Sequence, residues 1–451
     1  MNFIAMDIGS TFIKAEILDL VYEKVIYTKK YHTPLKLPNK DPHYFEVDVQ
    51  EIVAVVKDII EKCVHITNDI AGVLFSTQQH GCVLQYPEAQ RDIYISWQDS
   101  RCLEIAPDTG ISYMQELKQK IPASVIKRAG VPIKPALALC NLYTLFKKEK
   151  LQRDIKTKVY TLGSYIIEQL TGNNICHITN AAPMGFVNLN DNKWDNEILS
   201  YAGLDFIQLP QITSELQCCG CYKYQDISIP IYPDLGDLQT SVYGTGAVSG
   251  DMIINIGTAG QLIMIQNNRP KYSDYNPSDY EIRPYYDDNW CYVISRMPGG
   301  RNFDVQINYL REVGEKIFGI TLTEEEIWKR IQSSCNLANT GGIEVECNFY
   351  ELPDRLADGK ILHINYANFT PENVITATAV NFGKQYRYFA TILCKNIGFD
   401  GTLYFSGGAV LKNPFLKEAI EREMQIKNTV DAPQDEVYKG LFKLAKRCIN
   451  I

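Results

Sequence analysis

The sequence predicts an α/β fold of two duplicated domains, and three observations carry that prediction. The stretches Phe3 to Leu18 and Met252 to Ile265 share one plan: an apolar strand, a turn of small residues, and a second apolar strand. The two copies stand about 250 residues apart, roughly the length of one domain. At 451 residues the chain can form two domains or more, each with its own core.

In the first copy Asp7 closes the strand and Gly9-Ser10-Thr11 makes the turn. In the second the turn is Gly257-Thr258-Ala259-Gly260. Small residues let backbone N–H groups approach a phosphate closely. An acidic residue beside such a turn can hold Mg²⁺ directly or through water, and Lys14 adds a positive charge. One such motif is more often an ordinary hairpin with an Asp in its turn. Two, one opening each half, suggest a duplicated unit with phosphates held between the halves. The halves are expected to divide at residues 1–248 and 249–451.

Composition narrows the classes. Apolar residues make up 45% and charged residues 22%, normal for a globular protein. The net charge is −8 with no basic run, which argues against nucleic acid as a partner. No apolar run is long enough to span a membrane, and the chain enters a strand at once, so neither membrane nor signal peptide is expected. The thirteen cysteines are scattered and odd in number, which reads as reduced thiols in a cytoplasmic protein. Cys218-Cys219-Gly220-Cys221 is the one cluster, and it lacks the partner ligands of a metal finger.

Along the chain, Lys24 to Tyr31 reads as a third strand and His32 to His43 as a loop. Asp48 caps a helix through Cys63, with Ile52, Val55, Val56, Ile59 and Ile60 on one face. Ile70 to Ser76 is a buried strand ending in Thr77-Gln78-Gln79-His80-Gly81, where α/β folds place ligand contacts. Gln79 and His80 offer donors and acceptors that suit hydroxyls, although a lone His is more often structural. Trp97, Asp99 and Arg101 could floor and clamp a polyol; by themselves they read as a surface turn with a salt bridge.

Helices are expected at Ala136 to Lys148 and Val159 to Leu170, a polar turn at His177 to Ala182, and strands at Gly185 to Asn190 and Ile227 to Tyr232. Gly236-Asp237 opens a helix, which puts a carboxylate at the positive end of the helix dipole. Such an Asp can cap the helix, accept the proton of an attacking hydroxyl, or both. In the second half, Arg269 to Asp288 reads as a surface excursion, and Trp290 to Ser295 and Glu344 to Phe349 as strands. Helices follow at Phe303 to Phe318, after Thr323, and from Pro371 to about Asn396. Leu403 to Ser406 runs into Gly407-Gly408, which lets a flat base or ribose approach the backbone, with Asn413 close behind. A last helix covers Asp435 to Ile449.

Taken in order, Asp-x-Gly-Ser-Thr, Gln-Gln-His-Gly, Trp-x-Asp-x-Arg, Gly-Asp, Gly-Thr-x-Gly and Ser-Gly-Gly with Asn resemble the FGGY family of carbohydrate kinases. The resemblance runs from Met1 to the last helix. It implies two ribonuclease-H-like domains of the actin-like ATPase superfamily with a cleft between them. It also implies ATP and Mg²⁺ as cofactors and a small-molecule sugar as partner. By the same resemblance Asp7 positions Mg²⁺. Gly9, Ser10, Thr11, Lys14, Gly257 and Thr258 face the phosphates, while Gly407, Gly408 and Asn413 hold the adenosine. Gln79, His80, Trp97 and Asp99 line the sugar pocket with Asp237, which falls on the family's general base.

Within the family, Ser96 to Cys102 and Leu235 to Tyr243 look closest to sedoheptulokinases. Xylulokinases and glycerol kinases usually carry an amide directly after the base, where this chain has Leu238. His80 in place of an acidic residue also departs from glycerol kinases. The expectation is ATP-dependent phosphorylation of a ketose at a primary hydroxyl, sedoheptulose first, with xylulose or another polyol as the alternative. A non-catalytic sugar sensor and a sugar-independent ATPase are the rivals from other classes. A homodimer is kept as the assembly to test. Two departures from the family pattern are the lack of a Lys in Pro135 to Leu145 and the residues Lys439-Gly440-Leu441 in the last helix.

Overall fold

The first hairpin forms where the apolar alternation places it. β1 (Asn2–Ile8) and β2 (Phe12–Asp19) pair antiparallel, with Phe3 opposite Leu18 and Asp7 opposite Lys14. The Gly9 N–H closes the turn on the Phe12 carbonyl at 3.0 Å. The computed structural model describes residues 1–39, 41–86, 91–269, 275–350, 356–394 and 399–449, with Arg296 contributing its backbone only. The chain divides into two units. One holds Met1–Gly246, Asn268–Trp290 and Gln434–Ile451; the other holds Ala247–Asn267 and Cys291–Pro433.

In the first unit, β3 (Lys24–His32), α1 (Val49–Ile66), β4 (Ile70–Thr77), β5 (Gly220–Tyr224), β6 (Ile227–Gly236) and α2 (Asp237–Thr245) follow in sequence. The sheet order is β5-β6-β4-β1-β2-β3, with β6, β4 and β1 mutually parallel. Asp48 caps α1 by accepting from the Gln50 N–H at 3.0 Å. The α1 residues Ile52, Val56, Ile59 and Ile60 pack with Ile4, Met6, Val73, Phe75, Ile229 and Ile231 in one core. Each such side chain contributes about 1.5–3 kcal/mol by leaving water. Register then fixes the site: Ile8 and Gly236 both pair with Thr77, so the C-terminal ends of β1, β4 and β6 form one sheet edge.

The second unit repeats the plan with β7 (Met252–Ile256), β8 (Gly260–Gln266), β9 (Trp290–Met297), α3 (Pro371–Cys394), β10 (Leu403–Ser406) and β11 (Thr429–Asp431). Within a six-stranded sheet, the run β9-β8-β7-β10-β11 matches β3-β2-β1-β4-β6 of the first unit. Phe303 stacks on Phe382 of α3 within this core. The duplicated α/β reading therefore holds at the level of strand order.

Several expectations are corrected. The first crossing between units falls at Gly246, close to the expected 248, but two later segments return to the first unit. One is the terminal helix Glu436–Cys448, which packs along α2 through Gly244 and Gly440. The other contains Glu281–Pro284, an entirely buried strand inside the supposed surface excursion; residues 270–274 of that stretch lie outside the described residues. Val159 and Tyr160 belong to a strand, Lys158–Tyr160, and the helix starts at Leu162 because Thr161 caps it. His177 caps a short helix, Ile178–Ala181, rather than opening a turn. β6 runs four residues beyond Tyr232, to Gly236. The strands expected at Gly185 to Asn190 and Glu344 to Phe349 shorten to Val187–Asn188 and Glu344–Glu346. The expected end of α3 near Asn396 lies outside the described residues.

Among the described residues no helix is long and apolar enough to cross a membrane. Among the described residues the cysteines are free; Cys218 and Cys221 are exposed and Cys219 is buried.

Candidate active site

The sheet edge gathers Asp7, Gln79, His80 and Asp237. Asp237 is the first residue of α2, and its Oδ1 accepts from the Leu238 N–H at 2.7 Å. Gly236 precedes it for lack of space: a Cβ there would stand 2.1 Å from Gln79 Nε2 and 2.6 Å from Gln239 Oε1. Burial pushes the Asp237 carboxyl up to about 6, and the Asp7 charge adds to the rise while the Leu238 N–H and Arg283 oppose it. A carboxylate in that range is mostly ionised near neutral pH and still basic enough to take a proton.

Asp7 ends β1 with its Oδ1 accepting from the Ser76 hydroxyl at 2.8 Å. Burial raises its pKa against the Ser76 hydrogen bond and the Lys14 charge. The Gly9-Ser10-Thr11 turn is held by Thr33, whose hydroxyl donates to the Gly9 carbonyl at 2.8 Å, and Ser10 and Thr11 are exposed. Lys14 is engaged within the protein. Its Nζ lies 3.2 Å from both Glu16 and Asp435 and 3.9 Å from the Tyr438 ring centroid, so two carboxylates already take up its charge.

Gln79 and His80 are brought to the site, but their polar atoms are engaged inside the protein. Gln79 Nε2 donates to the Thr179 carbonyl and to Gln239 Oε1, each at 2.7 Å, and its Oε1 accepts from Arg283 Nη1 at 2.9 Å. The His80 ring bridges the Pro183 carbonyl through Nδ1 at 3.0 Å and Arg283 Nη2 through Nε2 at 3.2 Å. A carbonyl only accepts and a guanidinium only donates, so Nδ1 carries the proton and Nε2 the lone pair. Burial, with the Lys134 and Arg283 charges, holds the His80 pKa well below its ordinary value and keeps the ring neutral. His80 also sits at φ +69°, a left-handed conformation that a non-glycine residue adopts at a cost.

Arg283 is anchored in turn by Glu281, whose Oε2 accepts from Nε at 3.0 Å and Nη2 at 2.6 Å, and Glu281 also pairs with Lys134. Burial opposes ionisation of Glu281, yet Lys134 and Arg283 outweigh it and hold the carboxyl well below the usual range. Lys134 immediately precedes Pro135 to Leu145, the segment that has no lysine of its own. Tyr94 is buried close enough for Asp237 to perturb its hydroxyl. Arg283, Glu281, Lys134 and Tyr94 were not singled out from sequence. The three polar residues fall in a stretch read as an excursion or just before a helix, and no local pattern marks them.

Trp97 and Asp99 part company. Trp97 is 43% exposed and available to a ligand. Asp99 is buried, and its oxygens accept from the Phe45 and Arg101 N–H groups and from the Arg101 guanidinium at 2.6–3.0 Å. Glu46 completes the pair with Arg101 at 2.7 Å. Asp99 thus holds the loop that presents Trp97, in a buried ion pair rather than a surface bridge.

In the second unit the two glycine turns converge. The Gly300 N–H donates to the Gly257 carbonyl at 2.8 Å, and a Cβ on Gly407 would stand 2.5 Å from the Ile256 carbonyl oxygen. Gly407 lies at φ +90°, which L side chains rarely adopt. Thr258 is exposed and Gly408 has open space on its Cβ side. Asn413 caps the helix Pro414–Met424: its Oδ1 accepts from the Leu416 N–H at 3.2 Å and from Gln332 at 2.9 Å. That oxygen is therefore committed to the helix start.

Residues 2–242, more than half of the chain, match the FGGY family of carbohydrate kinases, N-terminal domain. Glycerol kinase 2 of Saccharolobus solfataricus is 28% identical over 285 residues, covering 60% of this chain and 55% of that protein. The chain spans about half the length of the curated relatives it matches. A ligand-bound xylulose kinase from Lactobacillus acidophilus superposes with a TM-score of 0.82 at 21% identity, over 100% of this chain and 89% of that one. A gluconate kinase from the same organism gives 0.83 at 20% identity, again over 100% and 89%. These two share the fold. On the family match, the chain belongs to the FGGY family of carbohydrate kinases.

Proposed function

We propose that this chain transfers the γ-phosphoryl group of ATP to a primary hydroxyl of a sugar, with Asp237 as the general base. The observation that carries the reading is the Asp237 carboxyl, pushed up to about 6 at the N-terminus of α2 and within electrostatic reach of Asp7. The attacking hydroxyl gives its proton to Asp237 and its oxygen bonds to the γ-phosphorus. The bond from that phosphorus to the β–γ bridging oxygen breaks, and ADP leaves with the electron pair.

Asp7 fits a Mg²⁺ site, because it is a partly buried carboxylate whose burial cost a hard cation would offset and whose described hydrogen bond uses one oxygen. When bound, Mg²⁺ neutralises phosphate charge. The Gly9 to Thr11 backbone supplies N–H donors for phosphate oxygens, and in the second unit, taken by itself, the Gly257 and Thr258 backbone offers donors of the same kind. The acceptor pocket is formed by Asp237, Trp97 and the Gln79–His80–Arg283 network.

The first acceptor to test is a ketose, sedoheptulose ahead of xylulose. Leu238 follows the base, and the adjacent amide, Gln239, turns inward to Gln79 and to the Pro284 carbonyl. A second reading takes glycerol, the acceptor in the names of the curated relatives. ADP release with Mg²⁺-ATP should be measured against sedoheptulose, xylulose, ribulose, gluconate, glycerol and no sugar. Sugar-dependent release, fastest with sedoheptulose, is expected. Preference for another member of the panel would keep the chemistry and replace the acceptor. Equal release with and without sugar would overturn the reading.

A further inference from the structure

We infer that Arg283 is the positioning residue of the acceptor pocket, fixing the Gln79 amide and the His80 ring in one orientation each. The inference deepens the phosphoryl-transfer reading and, for its kinetic consequence, rests on it. Arg283 is 3% exposed, and four of its five N–H groups are accounted for. Nε and one Nη2 hydrogen grip Glu281, which leaves the plane of the guanidinium no freedom to rotate. From that fixed plane Nη1 reaches Gln79 and the second Nη2 hydrogen reaches His80.

Each contact decides something. The Nη1 donor requires an oxygen on Gln79, so the amide cannot flip without setting two donors against each other there and two acceptors against each other at the Thr179 carbonyl and Gln239 Oε1. The Nη2 donor requires a lone pair on His80 Nε2, so the ring is held as the Nδ1–H tautomer against the Pro183 carbonyl. The backbone of His80 is strained at φ +69° and needs such restraint to keep its ring in place. Gly236 sits against the Gln79 amide, so an altered amide presses directly on the residue before Asp237. Lysine cannot replace this arrangement, because a single ammonium lacks the fork that binds Glu281 while donating sideways to two partners.

The test pairs a kinetic and a spectroscopic readout on Arg283→Lys. The KM for the acceptor should rise about tenfold or more, while the KM for ATP stays within about twofold. The ¹⁵N imidazole signals of His80, assigned with a His80→Gln variant, should change from a single Nδ1–H tautomer to a mixture near neutral pH. Glu281→Gln leaves Arg283 present but weakens its anchor, and should give both changes in milder form even if Arg283→Lys folds poorly. Unchanged acceptor KM and an unchanged His80 tautomer in both variants would overturn the assignment. Wild-type protein inactive on every sugar, with the tautomer relaxing in the variants, would overturn phosphoryl transfer and uphold the positioning role.

Discussion

Gly244 of α2 and Gly440 of the terminal helix bring two backbones into direct contact. A Cβ on Gly244 would stand 1.7 Å from the Glu436 carbonyl oxygen and 2.9 Å from the Gly440 nitrogen, and one on Gly440 would stand 2.0 Å from the Thr240 carbonyl oxygen. α2 carries Asp237, so the last helix of the chain seats the helix that bears the proposed base. Gly440 supplies the small residue at this crossing.

Replacing Gly440 with Ala should therefore force the helices apart. The expected loss is about 1–3 kcal/mol of stability, the usual cost of overpacking, with a fall in turnover because Asp237 moves with α2. Urea unfolding measures the first and ADP release the second. A variant as stable and active as the parent would show that the crossing has slack.

Asp99 and Trp97 should respond differently to substitution. Asp99→Asn leaves Arg101 buried with one weakened partner, and breaking a buried pair costs on the order of 3–5 kcal/mol. The acceptor KM of the folded variant should stay within about twofold, whereas Trp97→Ala should raise it with little change in the unfolding midpoint. The reverse pattern would return Asp99 to the sugar pocket.

Lys14 should behave as an ion-pair residue. It is partly exposed and paired with Glu16 and with the more exposed Asp435, so Lys14→Met should change stability by less than about 1 kcal/mol and leave the KM for ATP within about twofold. A rise of about tenfold in the KM for ATP would place Lys14 on the phosphates after all.

What the sequence made legible was local. The two hairpins, the Asp48 and Thr323 caps and the Gly236-Asp237 helix start each depend on neighbours within a few residues, and each stands where expected. Arg283 was hidden because its partners Gln79 and His80 lie 204 and 203 positions away, and Glu-Ile-Arg-Pro is too short a run to mark a strand inside a Tyr-, Pro- and Asp-rich stretch. The terminal helix was visible as a helix, but its seat against Gly244 is a matter of backbone clearance that no periodicity encodes. Asp99 and Lys14 carry the right chemistry for a ligand; the pairing of Asp99 with Arg101 is legible in the sequence, but its burial, and the pairing of Lys14 with the distant Asp435, depend on the fold.

The most direct measurement is the pH dependence of sugar-dependent turnover in the parent and in Asp237→Asn. A carboxyl whose pKa is raised to about 6 serves as a base only above that value, so parental turnover should fall as pH drops through about 6. Asp237→Asn should bind the acceptor, lose about 10²-fold or more in turnover, and lack that acidic limb. Turnover close to the parent's, with the limb intact, would remove Asp237 from the chemistry.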